Sequence, residues 1–225
     1  MHFMKKLVPI TIIILVLSSF KFMQQKERII FFGDSITQAA VQPIGFITLI
    51  GSKLTQDGKA DKYELIGAGI SGNKVYDLYL RLEDDVLAKN PNTVVIYIGA
   101  NDVWHKTTGG TGTDADKFER FYTAIINKLK AKNIKIVLCT PATIGEKTDN
   151  TNLQDGDMNR YSNIVRDLAQ KNDLPLIDLR KVFLDYDRVN NKENKDRGIL
   201  TRDGVHLNEK GNQLVAEELL KVLVK

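Results

Sequence analysis

The sequence predicts an α/β protein, a three-layer α/β/α sandwich built on a five-stranded parallel sheet. Three observations predict it. Short apolar runs rich in β-branched and aromatic residues alternate along the chain with longer segments of helical period. Runs such as Ile29-Ile30-Phe31-Phe32 are apolar at every position, as strands covered on both faces are. Several of the runs stop at glycine, which permits a tight turn into the next element. Successive β–α–β units cross over right-handedly, which makes the strands parallel and puts helices on both faces.

Residues 1–25 read as a signal peptide or an N-terminal membrane anchor. Lys5 and Lys6 precede the apolar stretch Leu7 to Phe20. Its length is that of a signal h-region, about 7–15 residues, rather than the ~20 of a membrane span. Ser18-Ser19-Phe20-Lys21-Phe22-Met23 shows no Ala-x-Ala cleavage pattern, so a cleaved signal and an uncleaved anchor both stand. No cysteine follows the apolar run, which excludes a bacterial lipoprotein anchor. The expectation is an exported protein: periplasmic, extracellular, or held at the membrane by this segment alone. Residues 26–225 then make one domain of ordinary size.

The first strand, near 29–32, runs into Gly33-Asp34-Ser35 and a helix. Ser35 therefore sits at the carboxyl end of a strand, where open α/β sheets bind ligands. A serine there has an exposed hydroxyl and a main-chain N–H near a helix N-terminus, which suits attack on an ester carbonyl. A helix is predicted around 44–56, then a strand at 63–66 ending in Gly67-Ala68-Gly69-Ile70-Ser71-Gly72-Asn73. Small residues in that block let a backbone N–H approach a bound group closely; ordinary turn chemistry gives the same pattern. A helix around 74–88 leads to the strand 93–98 and to Gly99-Ala100-Asn101-Asp102. The Asn101 side chain carries an NH2 that can act as a further donor to a developing oxyanion. The polar run Thr107 to Thr113 follows; without a Lys-Ser/Thr after its glycines it is no phosphate-binding loop.

Helix 114–132 carries Phe118, Phe121, Tyr122, Ile125, Ile126 and Leu129 at helical spacing, a face for packing on the sheet. Strand 134–140 contains Cys139, the only cysteine, which precludes an internal disulfide and a cysteine-based metal site and reads as a buried, inert thiol. Polar stretches at 141–157 and 186–202 flank a helix around 158–171 and a strand at 175–178. Both stretches, with 107–113, are expected to form walls of a site at the carboxyl edge of the sheet, or plain solvated connections. The last helix spans about 209–223, and just before it lies Asp203-Gly204-Val205-His206. A carboxylate three residues before an imidazole can hold one ring nitrogen, fix the tautomer and stabilise the imidazolium. A surface turn is the plain alternative.

Histidine supply sharpens the assignment, because the chain has three and His2 lies in the targeting segment. His206 reads as the base for Ser35, with Asp203 its orienting acid. His105 is the rival, close to Asp102 but badly placed to reach across to Ser35. Trp104 reads as packing or a pocket wall.

The four blocks, at 33–35, 67–72, 99–102 and 203–206, occur in one order and together resemble the SGNH hydrolases of the GDSL esterase/lipase superfamily. The resemblance covers residues 29 to about 215. It implies the flavodoxin-like strand order 2-1-3-4-5 and a hydrolase domain over 26–225. It implies Ser35 as nucleophile, His206 as base and Asp203 as acid. It also implies an oxyanion hole of the Ser35 N–H, the Gly69 N–H and the Asn101 side chain. Members often carry Asn where this chain has Gly67, a departure that touches loop geometry only. The reaction expected is ester hydrolysis through an acyl-enzyme, with no metal or organic cofactor. The polar loops and the expected export favour a short acyl group, acetyl on a carbohydrate or another small alcohol. Lysophospholipase, arylesterase and thioesterase activities are the alternatives that the resemblance allows.

Two other classes stand beside this one. A metal-dependent phosphoesterase could use Asp34, Asp102, Asp203 and His206, against which the scarcity of histidine argues. A non-catalytic carbohydrate-binding protein would not need the full set of serine, base, acid and donors. Charge excludes a nucleic-acid partner: the first 25 residues hold three of the 32 basic residues and no acid, leaving 29 basic against 28 acidic. Oligomeric state is not legible in the sequence.

Overall fold

The computed structural model describes residues 25–224. The segment read as signal or anchor thus lies outside the described residues except at Gln25. Five parallel strands form one sheet: β1 (Glu27–Gly33), β2 (Tyr63–Gly69), β3 (Thr93–Tyr97), β4 (Lys135–Cys139) and β5 (Leu176–Ile177). Their order is β2-β1-β3-β4-β5, the order that the resemblance implied. Register sets the site, because Gly33 is paired with Gly69 on one side and with Tyr97 on the other. The ends of the three strands that carry the first three blocks are therefore level and adjacent.

Alternate side chains of β1 enter different cores, as a period of two requires. Ile29 and Phe31 pack with Val95, Tyr97, Val137 and Cys139 against α2 (Phe46–Gln56), α7 (Leu179–Asn190) and α8 (Glu209–Leu223). Ile30 and Phe32 pack with Val94, Ile96, Ile136 and Leu138 against α3 (Val75–Asp85), α5 (Ala115–Ala131) and α6 (Asp155–Asn172). The short helix α1 (Ser35–Ala39) and α4 (Ala100–Thr108) start directly after β1 and β3. The three-layer arrangement is as expected. Burial holds the Cys139 thiol well above its ordinary pKa, which makes it inert.

Several boundaries differ from the sequence reading, three of them in the segments around the site. Helix α4 replaces what was read as a turn running into a polar loop. Helix α7 fills 179–190, so the first five residues of the 186–202 stretch are helical. Helix α6 begins at 155, three residues before the expected start. Among the described residues, no helix is long and apolar enough to cross a membrane.

Candidate active site

Main-chain geometry places the serine. β1 ends at Gly33, and Asp34 caps α1 by accepting a hydrogen bond from the Ile36 N–H at 2.9 Å. Ser35 follows as the first residue of the helix. Burial raises the Asp34 carboxyl to about 6, against the opposing effects of the Ile36 N–H, His206 and Arg81. Asp34 is thus committed to shaping the turn.

The turn before α8 brings base and acid together. His206 Nε2 lies 3.0 Å from Ser35 Oγ, across 171 residues of chain. Its Nδ1 lies 2.7 Å from Asp203 Oδ2. The other carboxylate oxygen, Oδ1, accepts from the N–H groups of Val205 at 3.0 Å and His206 at 2.8 Å. Gly204 takes φ +94°, a conformation that side-chain-bearing residues rarely adopt. Partial burial pushes the Asp203 carboxyl up, but these N–H donors and the ring outweigh it, and the group sits below its ordinary pKa. The result is an unbroken hydrogen-bonded line from hydroxyl to imidazole to carboxylate.

Gly69 and Asn101 flank that line. Gly69 ends β2 beside Gly33, and a β-carbon there would overlap the Gln38 nitrogen and the Asp34 carbonyl of the α1 turn. Only glycine lets the two segments approach this closely. Asn101, buried in the first turn of α4, donates from Nδ2 to the Asn73 carbonyl at 3.1 Å. One amide hydrogen is occupied and the other is left for a further partner. Asp102 accepts from the Val75 N–H at 3.2 and 3.3 Å, which fixes the start of α3. Burial raises its carboxyl to about 7.

Other residues behave differently from the rival readings. The Ser35 hydroxyl pairs with His206, while the His105 ring lies 5.8 Å from that of Trp104. Burial and the Lys74 cation lower the His105 pKa. Trp104 stands edge-on to His206 at 6.3 Å, a wall of the site as expected. The carboxylates named for a metal-dependent phosphoesterase are not gathered: Asp34 and Asp102 cap different helices, and the described residues hold no cluster of three or more His, Cys, Asp or Glu placed for a metal.

A cleft of about 350 Å³ opens beside the line, bounded by Trp104, Thr107, Ile144, Lys147, Asn152 and Asp203 among others. Two of the three polar stretches, 141–157 and 186–202, meet in its wall, and Thr107 brings in the third. A larger cavity, about 530 Å³ beside Glu83, Leu87, Asn90 and Lys132, lies at the opposite rim of the sheet and carries none of these groups.

Two residues escaped the sequence reading. Arg81 donates through Nη2 to the carbonyls of Gly33 at 2.7 Å and Ala68 at 2.9 Å, and through Nε to Asn73 Oδ1 at 2.7 Å. It clips the ends of β1 and β2 to the loop that Asn101 also holds. Glu146, one of several polar residues in a wall stretch, is a buried anchor for the chain ahead of Asp203. Glu146 has no signature in sequence because its carboxylate is met by main-chain N–H groups. The bonds by which Arg81 clips the strands go to main-chain carbonyls, beside those to the side chains of Asn73 and Asp85.

Comparison with known proteins gives this arrangement its context. An acetyl xylan esterase of known crystal structure, AlAXEase, is 63% identical, with 88% of this chain and 100% of that chain covered and a TM-score of 0.87. The acetylxylan esterase of Geobacillus stearothermophilus is 26% identical over 211 residues, covering 87% of this chain and 93% of that one. The isoamyl acetate-hydrolyzing esterase of Saccharomyces cerevisiae is 26% identical over 224 residues, covering 88% and 86%. The model of the GDSL-like lipase/acylhydrolase family matches residues 31–214, from the middle of β1 into α8. The chain belongs to that family, within the SGNH hydrolases, and is a carboxylic ester hydrolase.

Proposed function

We propose that this protein is an exported serine esterase that removes acetyl groups from a carbohydrate through Ser35, His206 and Asp203. The hydrogen-bonded line from Ser35 through His206 to Asp203, at 3.0 and 2.7 Å, carries the reading. His206 takes the Ser35 proton as Oγ attacks the ester carbon, and Asp203 stabilises the imidazolium. The Ser35 and Gly69 N–H groups and the free Asn101 amide hydrogen receive the oxyanion. His206 then gives its proton to the departing alcohol, and water clears the acyl-enzyme by the reverse route. No metal or organic cofactor enters the scheme.

The acetyl assignment draws support from relatives named for acetylxylan and isoamyl acetate hydrolysis. A carbohydrate alcohol is favoured by the cleft, whose lining includes Lys147, Asn152, Gln154 and Asp196 as well as Trp104. Export rests on Lys5, Lys6 and the apolar run that follows them.

Two measurements test this. Ser35→Ala should abolish hydrolysis of p-nitrophenyl acetate while leaving the circular dichroism spectrum unchanged; turnover at the native rate ends the reading. An acyl-chain series should fall steeply beyond four carbons, with acetylated xylo-oligosaccharides preferred to isoamyl acetate. A maximum at eight or more carbons points to lipids instead.

A further inference from the structure

Resting on the Ser–His–Asp reading, we propose that Glu146 is a positioning residue for the acid–base turn: its carboxylate fixes Ile199–Thr201 and, through them, the placement of Asp203 and His206. Glu146 follows β4 in a loop and is 1% exposed. Its Oε2 accepts from the Ile199 N–H at 2.8 Å, and its Oε1 accepts from the N–H groups of Leu200 at 2.7 Å and Thr201 at 2.6 Å. Three successive main-chain donors thus converge on one side chain from more than fifty residues away. Consecutive N–H groups of this kind form a concavity suited to an anion.

The path from this nest to the chemistry is short. Thr201 forms an isolated antiparallel bridge with Leu207, and the Arg202 N–H donates to the His206 carbonyl at 2.7 Å. Thr201 Oγ1 accepts from the Gly204 N–H at 3.0 Å, inside the turn itself. Leu200 and Thr201 are both fully buried, so the segment that the carboxylate grips is seated in the core. Main-chain bonds stitch the same two loops on either side: Gly145 N–H to the Gly204 carbonyl at 2.8 Å, and Glu146 N–H to the Asp196 carbonyl at 3.0 Å. Asn191 Nδ2 closes the unit by donating to the carbonyls of Glu146 at 2.7 Å and Lys195 at 2.8 Å.

A glutamine could not do the same work. Its single oxygen serves at most one side of the nest, and its NH2 confronts an N–H donor with another donor. An unpaired buried donor of that kind displaces the segment, and misplacement by 1 Å can cost on the order of 10²-fold in rate.

The test compares Glu146→Gln, Glu146→Asp and Ser35→Ala with the native enzyme on p-nitrophenyl acetate. The expected result for Glu146→Gln is a kcat at least about tenfold lower with KM within about threefold, since the cleft is kept and the turn is not. Glu146→Asp keeps the charge and should recover part of the loss. The low-field proton shared by His206 Nδ1 and Asp203, followed by NMR, should broaden or vanish in Glu146→Gln. If Ser35→Ala is inactive and Glu146→Gln turns over like the native enzyme, this proposal falls alone; if Ser35→Ala is active, the reading beneath it falls. Should the Glu146 variants fail to fold, amide exchange in the native protein decides. The amides of 199–201 must be protected although they lie outside any helix or strand, and exchange at free-loop rates overturns the assignment.

Discussion

One Nδ2 hydrogen of Asn101 is held by the Asn73 carbonyl, which orients the whole amide and aims its second hydrogen. An alanine at this position loses both the aim and the donor. Asn101→Ala is therefore expected to keep the fold and to lower kcat by about 10²–10³ with little change in KM, measured by steady-state kinetics on p-nitrophenyl acetate. A matching rise in KM alone would assign the residue to ground-state binding. The grouping of Ser35, His206 and Asp203 was legible because side-chain type and the ordered blocks point to it. Glu146 and the strand-clipping bonds of Arg81 were not, for a physical reason: what they engage is the N–H or C=O that nearly every residue possesses. The carboxylate of Asp102 was read as a possible metal ligand, yet it holds the start of a helix 27 residues earlier in the chain.

At the scale of elements, α3 shows how a site block also builds the frame. Its first N–H, of Val75, is satisfied by Asp102 from β3's following helix, and the Lys74 N–H by Asp77 Oδ2 at 2.8 Å. Removing the cap by Asp102→Ala should cost about 1–2 kcal/mol in urea unfolding at pH 6, whereas Asp102→Asn, which keeps an acceptor, should cost much less. Equal losses for both would mean that packing matters and capping does not. Of the helices that the sequence reading passed over, α7 had a visible signal: Leu179, Val182, Phe183 and Tyr186 recur at helical spacing, and Asp178 caps the start. Its polar final turn merged with the polar stretch beyond it. Helix α4 had little signal, since a Gly-x-Asn-Asp turn opens it and two β-branched threonines close it. Burial of Ala100 and Val103 holds it in place, a tertiary effect that no local pattern states. Strands β1, β3 and β4 were legible as dense apolar runs, while β2 and β5 are weaker patterns, and the ends moved.

Across the whole molecule, three buried carboxyls bias stability in one direction with pH. Burial raises Asp34 to about 6, Asp102 to about 7 and Asp187 to about 7, the last with help from the Glu146 charge, against an ordinary value of 3.8. Each binds a proton more tightly folded than unfolded. Their contribution is therefore complete below about pH 4 and is lost as pH rises through 6 and 7. Calorimetry should show a lower Tm at pH 8 than at pH 5. Asp187→Asn should flatten that fall and raise Tm at pH 8, because Asp187 Oδ1 is buried without a hydrogen-bond partner; an unchanged slope would remove Asp187 from this account. A last consequence comes from the separation of 171 positions between Ser35 and His206. During translation the hydroxyl is made well before the imidazole, so a nascent chain that stops short of the turn before α8 bears a serine that His206 cannot deprotonate. On this reading hydrolytic power arrives in a single step with the turn that carries His206, and nascent chains shorter than that threaten no ester.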